Sequence, residues 1–376
     1  DSARKADAAD DASPAMRWFP LALSATLPLL FFFVLPPLSK SGLWDPHELN
    51  VADLARRIAV ELFGASHLTL VGTDNSLPHL NDLGRPELPF TSMALGFRLF
   101  GLSEWAGRLP LAVWGLVGVL VTYGFVRRLV DKRAGMYAAV ALTTMPLYFV
   151  QARTMMGEVV AMAGLAMAFG GLAVAAFDRD EAGPTLTRGR LAWLVLGLAG
   201  LLVGFYSRGG LVGVAVPCLA VGLAWALFRG ALGGRVDALG RAVGMGGLAL
   251  GATAVMLALR AYGRDRGANL DPWLGALLRP PPKYPTFDVV IGHIGHAAAP
   301  WSAFVPFAVG RMFLPPLQRR GALFERESVT RAALLLGAAL AVTAHGFLLA
   351  RVDAFAFSGP VFLAAVCAVA IRDYER

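Results

Sequence analysis

The sequence predicts an all-α, polytopic membrane protein: a bundle of about ten transmembrane helices, with interfacial helices in its first outer loop. Three observations lead there. Hydrophobic residues make up 56% of the 376-residue chain and charged residues only 16%, against roughly 25% charged in a soluble domain. Apolar runs of about 20 residues, the length that crosses a bilayer core, recur along the chain. Lys and Arg cluster in alternate, short connections such as RRLVDKR (127–133), RGALGGR (229–235) and QRRGALFERE (318–327), as expected on a cytoplasmic face.

The elements follow in order. Residues 1–16 are polar and low in complexity, and read as a disordered tail. The run 17–37 is too long for a signal-peptide core and no small-residue cleavage site follows it, so it reads as a first span. Further spans are expected at 105–126, 134–151, 155–177, 191–206, 209–228, 242–261, 297–314, 332–350 and 354–371. The shorter stretch 88–101 reads as an interfacial or re-entrant helix. Residues 17–376 thus read as one transmembrane domain with two long outer loops, 38–104 and 262–296. A start at Asp1 rather than Met reads as a processed form or a fragment, and the domain reads as open to truncation at its C-terminal end.

The net charge of +8 would suggest nucleic acid in a soluble chain. Here the surplus of basic residues on the inner face accounts for it, and no nucleic-acid partner is expected. Cys218 and Cys367 both lie inside apolar runs and read as packing residues, which leaves no thiolate metal cluster and no disulfide framework. The chain has no GxxxxGK[ST] phosphate loop, no GxSxG elbow and no HExxH pair. The glycines of GMGGLALG (244–251) have the spacing of close helix contacts.

Charge, His, Pro and Trp concentrate in the two outer loops. In SGLWDPHELNVADLARRI (41–58), Pro46 suits a first helical turn, Asp45 a helix cap and Glu48 a capping-box position. The helix that follows has Leu49, Ala52, Ile58 and Ala59 on one side and Asp53, Arg56 and Arg57 on others, the pattern of a helix lying along a membrane surface. It would hold Glu48 at the bilayer surface, where a carboxylate is costly to desolvate and open to tuning. A second acid, Glu158 in QARTMMGEVVAMAG, begins the span after a short outer turn marked by Arg153. A third outer turn, GFYSRGGLVG, sets Arg208 among glycines that allow a bulky ligand close to the backbone. A guanidinium there suits phosphate oxygens. Acids that take a proton from a hydroxyl and cations that stabilise a phosphate leaving group together suggest group transfer from a lipid phosphate at the outer surface.

Five stretches, in order and at matching span spacing, resemble the membrane-embedded GT-C glycosyltransferases, in particular family 39 with the dolichyl-phosphate-mannose–protein mannosyltransferases and the aminoarabinose transferases of lipid A. They are LWDPHELNVADLARRI, GRPELPFTSMALGFRLFGLSEWAGRLP, ARTMMGE, GFYSRGG and PWSAFVPFA. The resemblance implies a polyprenyl-phosphate sugar as donor, a protein, lipid A or another glycan as acceptor, and no cofactor. It also implies single displacement with inversion. A base among Glu48, Asp45, His47 and Glu158 would take the acceptor proton, while Arg85, Arg153, Arg208 and Lys283 would hold the donor phosphate. Aligned on ELNVA, His47 stands where the family has its Asp and Glu48 where it has its Glu, and Asp45 lies two residues earlier. At two sites where the family has Lys, this chain has Arg85 and Arg208. No metal is expected, although His293 with His296, and His67 with His79 and Asp74, are the weak alternatives. The expected setting is a bacterial inner membrane with the site facing the periplasm. A lipid or solute transporter, or flippase, is the rival reading and a membrane scaffold the next. Which sugar and which acceptor are used is not written in these motifs.

Overall fold

Apolar helices dominate because a backbone amide or carbonyl left unpaired in hydrocarbon costs several kcal/mol, so each apolar run closes its bonds within itself. The computed structural model describes residues 14–35, 37–39, 47–178, 187–228, 238–264, 269–278, 286–316, 322–352 and 355–375. The segment expected as a tail lies outside the described residues up to position 13, and helix α1 (Pro14–Leu29) starts directly after it and runs on as a π-helical turn (Leu30–Val34). The first outer loop carries α2 (His47–Phe63), the short α3 (Leu80–Leu83) and α4 (Leu88–Phe100). Then come α5 (Glu104–Leu129), α6 (Lys132–Thr144), α7 (Pro146–Arg153) and α8 (Glu158–Phe177). The chain continues with α9 (Arg188–Gly210), a π-helical turn (Leu211–Ala215), α10 (Val216–Phe228) and α11 (Ala238–Tyr262). Beyond the second outer loop lie α12 (Phe287–Ala298), α13 (Val305–Met312), α14 (Ala322–Leu349) and α15 (Pro360–Glu375). A two-stranded antiparallel turn, β1 (Leu270–Asp271) with β2 (Ala276–Leu277), completes the described chain.

Among the described residues, five helical stretches are long and apolar enough to cross a membrane: 104–129, 158–177, 188–228, 238–262 and 324–349. The chain is therefore an all-α, integral, multi-pass membrane protein. The stretch 188–228 is two helices, because the chain turns back at Gly209: a Cβ on Gly204 would stand 2.7 Å from the carbonyl oxygen of Gly213. That matches the two spans expected on either side of this turn. Two other expected spans are broken. Residues 134–151 divide at Met145, which Pro146 forces out of helical geometry. Residues 297–314 divide into the end of α12, a 3₁₀ turn (Trp301–Ala303) and α13, with Pro300 and Pro306 in the run.

Helix α8 is the axis of the bundle, buried along its whole length. It has no polar face to offer because every side meets protein. Glycines let its neighbour α9 approach backbone to backbone: a Cβ on Gly171 would lie 2.3 Å from the Cα of Gly197, and one on Gly200 2.2 Å from the amide nitrogen of Ala168. The outward side of α9 exposes Leu191, Val195, Leu198 and Leu202, a stripe that suits lipid tails.

Both ends of α8 are ionic. Just past its last residue Asp178 pairs with Arg128 and Arg326, and nearby Arg331 reaches Asp373 at 2.7 Å while Arg372 reaches Asp131 at 3.0 Å. At its first residue, about 30 Å away by helix rise, stands Glu158. The end that holds Glu158 also holds the start of α2, α3 and strand β2, with the cavity between them.

Candidate active site

A cavity of about 900 Å³ opens between α2, the loop before α4, α7, the start of α8, Arg208, strand β2, α12, Val352 and residues 355–357. Its wall is mostly apolar, with Val51, Leu54, Phe90, Leu147 and Phe355 among its members. Its polar groups gather around one carboxylate.

Glu158 is the first residue of α8, where the helix dipole favours a negative charge. Gly157 delivers it there with φ +79°, and a Cβ at that position would meet Pro89 at 2.7 Å. The Glu158 amide donates to Oε1 of Gln151 at 3.3 Å, which ties the acid to the end of α7. Arg85 donates from Nη1 to Glu158 Oε1 at 3.0 Å and stands over the Phe90 ring. Arg208 Nη1 is 3.8 Å from the same oxygen, and its guanidinium carbon lies 3.9 Å from the centre of the Phe355 ring. Its Nε and Nη2 are buried with no hydrogen-bond partner among the described residues. Among the described residues, one carboxylate faces two guanidinium groups, an excess of positive charge at a place where unmade hydrogen bonds are expensive. The arrangement suits an anion with several oxygens.

The acids and bases around residue 47 divide sharply. His47 opens α2 and is exposed on the cavity. Glu48, its neighbour, is fully buried and points elsewhere: Arg108 donates to both of its oxygens at 2.9 Å, and the Met155 amide donates to Oε1 at 2.8 Å. Helical phase separates the two, since successive side chains diverge by about 100°. Asp45 lies outside the described residues, as does Lys283. Arg153 is not among the residues lining the cavity. It donates to the Phe31 and Leu35 carbonyls, the latter at 3.1 Å, and so closes the free end of α1. Of the side of α2 expected as the apolar face of a membrane-surface helix, Ala52, Ile58 and Ala59 are buried within the protein and Leu49 is exposed.

His293 and His296 of α12 line the cavity. Among the described residues, however, no three His, Cys, Asp or Glu side chains converge as a metal site. Sequence reasoning passed over Arg108, Gln151 and His345. The Arg of AGRLP was visible as part of a resembling stretch, but its partner is sixty residues away. His345 is buried against Phe355 and Phe357, and neither ring nitrogen has a partner among the described residues.

The helix bundle has a GT-C-type fold. Residues 85–249 match the family model of dolichyl-phosphate-mannose-protein mannosyltransferases. Two crystal structures of ArnT from Cupriavidus metallidurans share the fold. The one bound to undecaprenyl phosphate aligns with a TM-score of 0.62 at 20% identity over 95% of this chain and 60% of that one. The apo form aligns with a TM-score of 0.63 at 19% identity over 97% and 60%. The oligosaccharyltransferase AglB from Archaeoglobus fulgidus, in complex with an inhibitory peptide and a dolichol-phosphate, gives 0.56 at 14% identity over 96% and 51%. The chain therefore spans about 60% of the length of the ArnT structures it matches. No curated protein matches the sequence.

Proposed function

We propose that this chain forms the catalytic membrane domain of a glycosyltransferase that moves a sugar from a polyprenyl phosphate to an acceptor on the outer face of the membrane. The observation that carries this reading is Arg208, buried at the cavity wall with two nitrogens that have no hydrogen-bond partner among the described residues, and sharing Glu158 with Arg85. Such a pair suits the phosphate of a lipid carrier, and the apolar remainder of the cavity suits its prenyl chain. An ArnT structure of the same fold was determined with undecaprenyl phosphate bound, which supports the same choice of donor.

In the proposed reaction His47 takes a proton from the acceptor hydroxyl or amine as that group attacks the anomeric carbon. The bond from sugar to phosphate breaks, and the leaving oxygen departs with the electron pair into the field of Arg85 and Arg208. The favoured base is His47 because it opens on the cavity while Glu48 is held away from it. Glu158 orients the two arginines until the donor arrives. The acceptor is a protein, lipid A or another glycan, and the setting is a bacterial inner membrane with the site on the periplasmic side. The basic residues at the opposite end of α8 favour that orientation.

The test uses the whole chain, purified and reconstituted, with undecaprenyl phosphate binding and transfer of radiolabelled sugar both measured. Wild type should bind the lipid, Arg208→Ala should lose affinity, and His47→Asn should keep affinity and lose transfer. Wild type that binds no polyprenyl phosphate would overturn the donor assignment and favour transport. A His47→Asn variant with full transfer would return the base to Asp45 or Glu158.

A further inference from the structure

Helix α9 is broken immediately after Arg208. Gly209 has φ +76° and ψ 179°, and beyond it the Gly210 and Leu211 amides donate to the second outer loop instead of continuing the helix. They reach the carbonyls of Pro272 at 3.0 Å and Trp273 at 2.7 Å. The loop is shaped for this. Strands β1 and β2 pair across a tight turn in which Asp271 Oδ1 accepts the Trp273 amide at 2.8 Å and the Leu274 amide at 3.2 Å. The fit leaves no room for a side chain: a Cβ on Gly275 would lie 2.1 Å from the Arg208 carbonyl oxygen, and one on Gly209 2.4 Å from the Gly275 nitrogen. Trp273 covers Gly210 and meets the Phe205 ring edge-on at 5.6 Å.

The same strap reaches the other guanidinium. Asn81, which lines the cavity four residues before Arg85, donates to Asn269 Oδ1 at 2.9 Å and accepts the Leu270 amide at 2.8 Å. Residues 269–278 thus touch both segments that deliver cations to Glu158.

We propose that this strap is the positioning element of the anion site, with Asn81, Trp273 and Gly275 as positioning residues that hold Arg208 and Arg85 within reach of one ligand. The inference rests on the reading of those arginines as the donor-phosphate site. Arg208 sits at a helix break whose hydrogen bonds are completed from outside the helix, so its direction depends on the strap and not on α9 alone.

A double-mutant cycle on the full chain, with undecaprenyl phosphate binding followed by calorimetry, tests it. Gly275→Ala and Asn81→Ala should each weaken binding, Gly275→Ala by about tenfold or more, the scale of a charge-assisted hydrogen bond lost through misplacement. In an Arg208→Ala background the same substitutions should cost much less than in wild type. Equal, additive losses in both backgrounds would overturn the inference, because the strap would then act on general stability. If Gly275→Ala does not fold, Asn81→Ala at an exposed polar position completes the same cycle. Arg208→Ala alone reports on the underlying reading: unchanged affinity there would remove the phosphate site itself, and the strap proposal with it.

Discussion

Glu48 and Arg108 form a two-pronged, fully buried ion pair between the first turns of α2 and α5, with Nε to Oε1 and Nη2 to Oε2 both at 2.9 Å. The Met155 amide completes the coordination of Oε1, so one carboxylate joins α2, α5 and the turn that leads into α8. This is a brace behind the site, on the far side of α2 from the group that faces the cavity.

The brace makes the first prediction one of stability. Glu48→Gln removes the charge of Arg108's close, two-pronged partner and leaves Glu104, at 3.5 Å, as its nearer carboxylate, and weakening such a buried pair costs up to about 3–5 kcal/mol. Thermal unfolding in detergent should show a markedly lower midpoint for Glu48→Gln. Adding Arg108→Met should recover part of it, since removing both charges is far cheaper than removing one. An unchanged midpoint in the single variant would show that the pair contributes nothing to the fold.

Glu158→Gln should act in the opposite direction on ligand binding. The carboxylate occupies the two guanidinium groups proposed to hold the donor phosphate, so an incoming anion would compete with it. Removing its charge should tighten undecaprenyl phosphate binding several-fold, with the gain largest at low ionic strength. Weaker binding in this variant would mean that the acid is needed to hold the arginines in place.

How much of this was legible in the sequence depends on whether the signal is local. Glu158 at a helix start and Arg208 isolated among glycines were readable, because each is a charge with no soluble neighbourhood to explain it. Arg85 was picked out by resemblance. The choice among residues 45–48 was not readable, since adjacent helical residues face different ways and only packing decides which one meets the cavity. The placement of Arg153 is not legible for a related reason: a cation at a short turn looks the same in sequence whether it faces a ligand or the carbonyls at the end of another helix. A count of apolar residues carries the expected spans 134–151 and 297–314 straight through Pro146, Pro300 and Pro306. Proline geometry, which breaks both runs, was the better guide.

The α8–α9 contact gives a third prediction with a built-in control. A Cβ on Gly171 would stand 2.3 Å from the backbone of Gly197, so Gly171→Val must push α8 and α9 apart. Overpacking of this kind costs about 1–3 kcal/mol or more, and the unfolding midpoint should fall. Gly246 in α11 has nothing within 4 Å of its would-be Cβ, so Gly246→Ala should be neutral or slightly stabilising through helix propensity. Similar shifts for the two variants would contradict the close approach of α8 and α9.

The loop that buttresses α2 should loosen in acid. Asp74 Oδ1 accepts the Ser76 amide at 2.9 Å and the Ser76 hydroxyl at 2.7 Å, while Arg57 of α2 pairs with Oδ2 at 2.8 Å. The Ser76 hydrogen bonds come first and the arginine charges after them in holding this carboxyl below its ordinary value. A group with a lowered folded pKa stabilises above its unfolded pKa, and loses that contribution as pH falls through the folded one. Protection of the Ser76 amide from hydrogen exchange, corrected for intrinsic rates, should therefore hold steady from neutral pH down to the carboxylate range and then decline. Asp74→Asn lacks the titrating group and should show low, pH-independent protection from the outset. A decline of equal size in that variant would assign the acid sensitivity to another group.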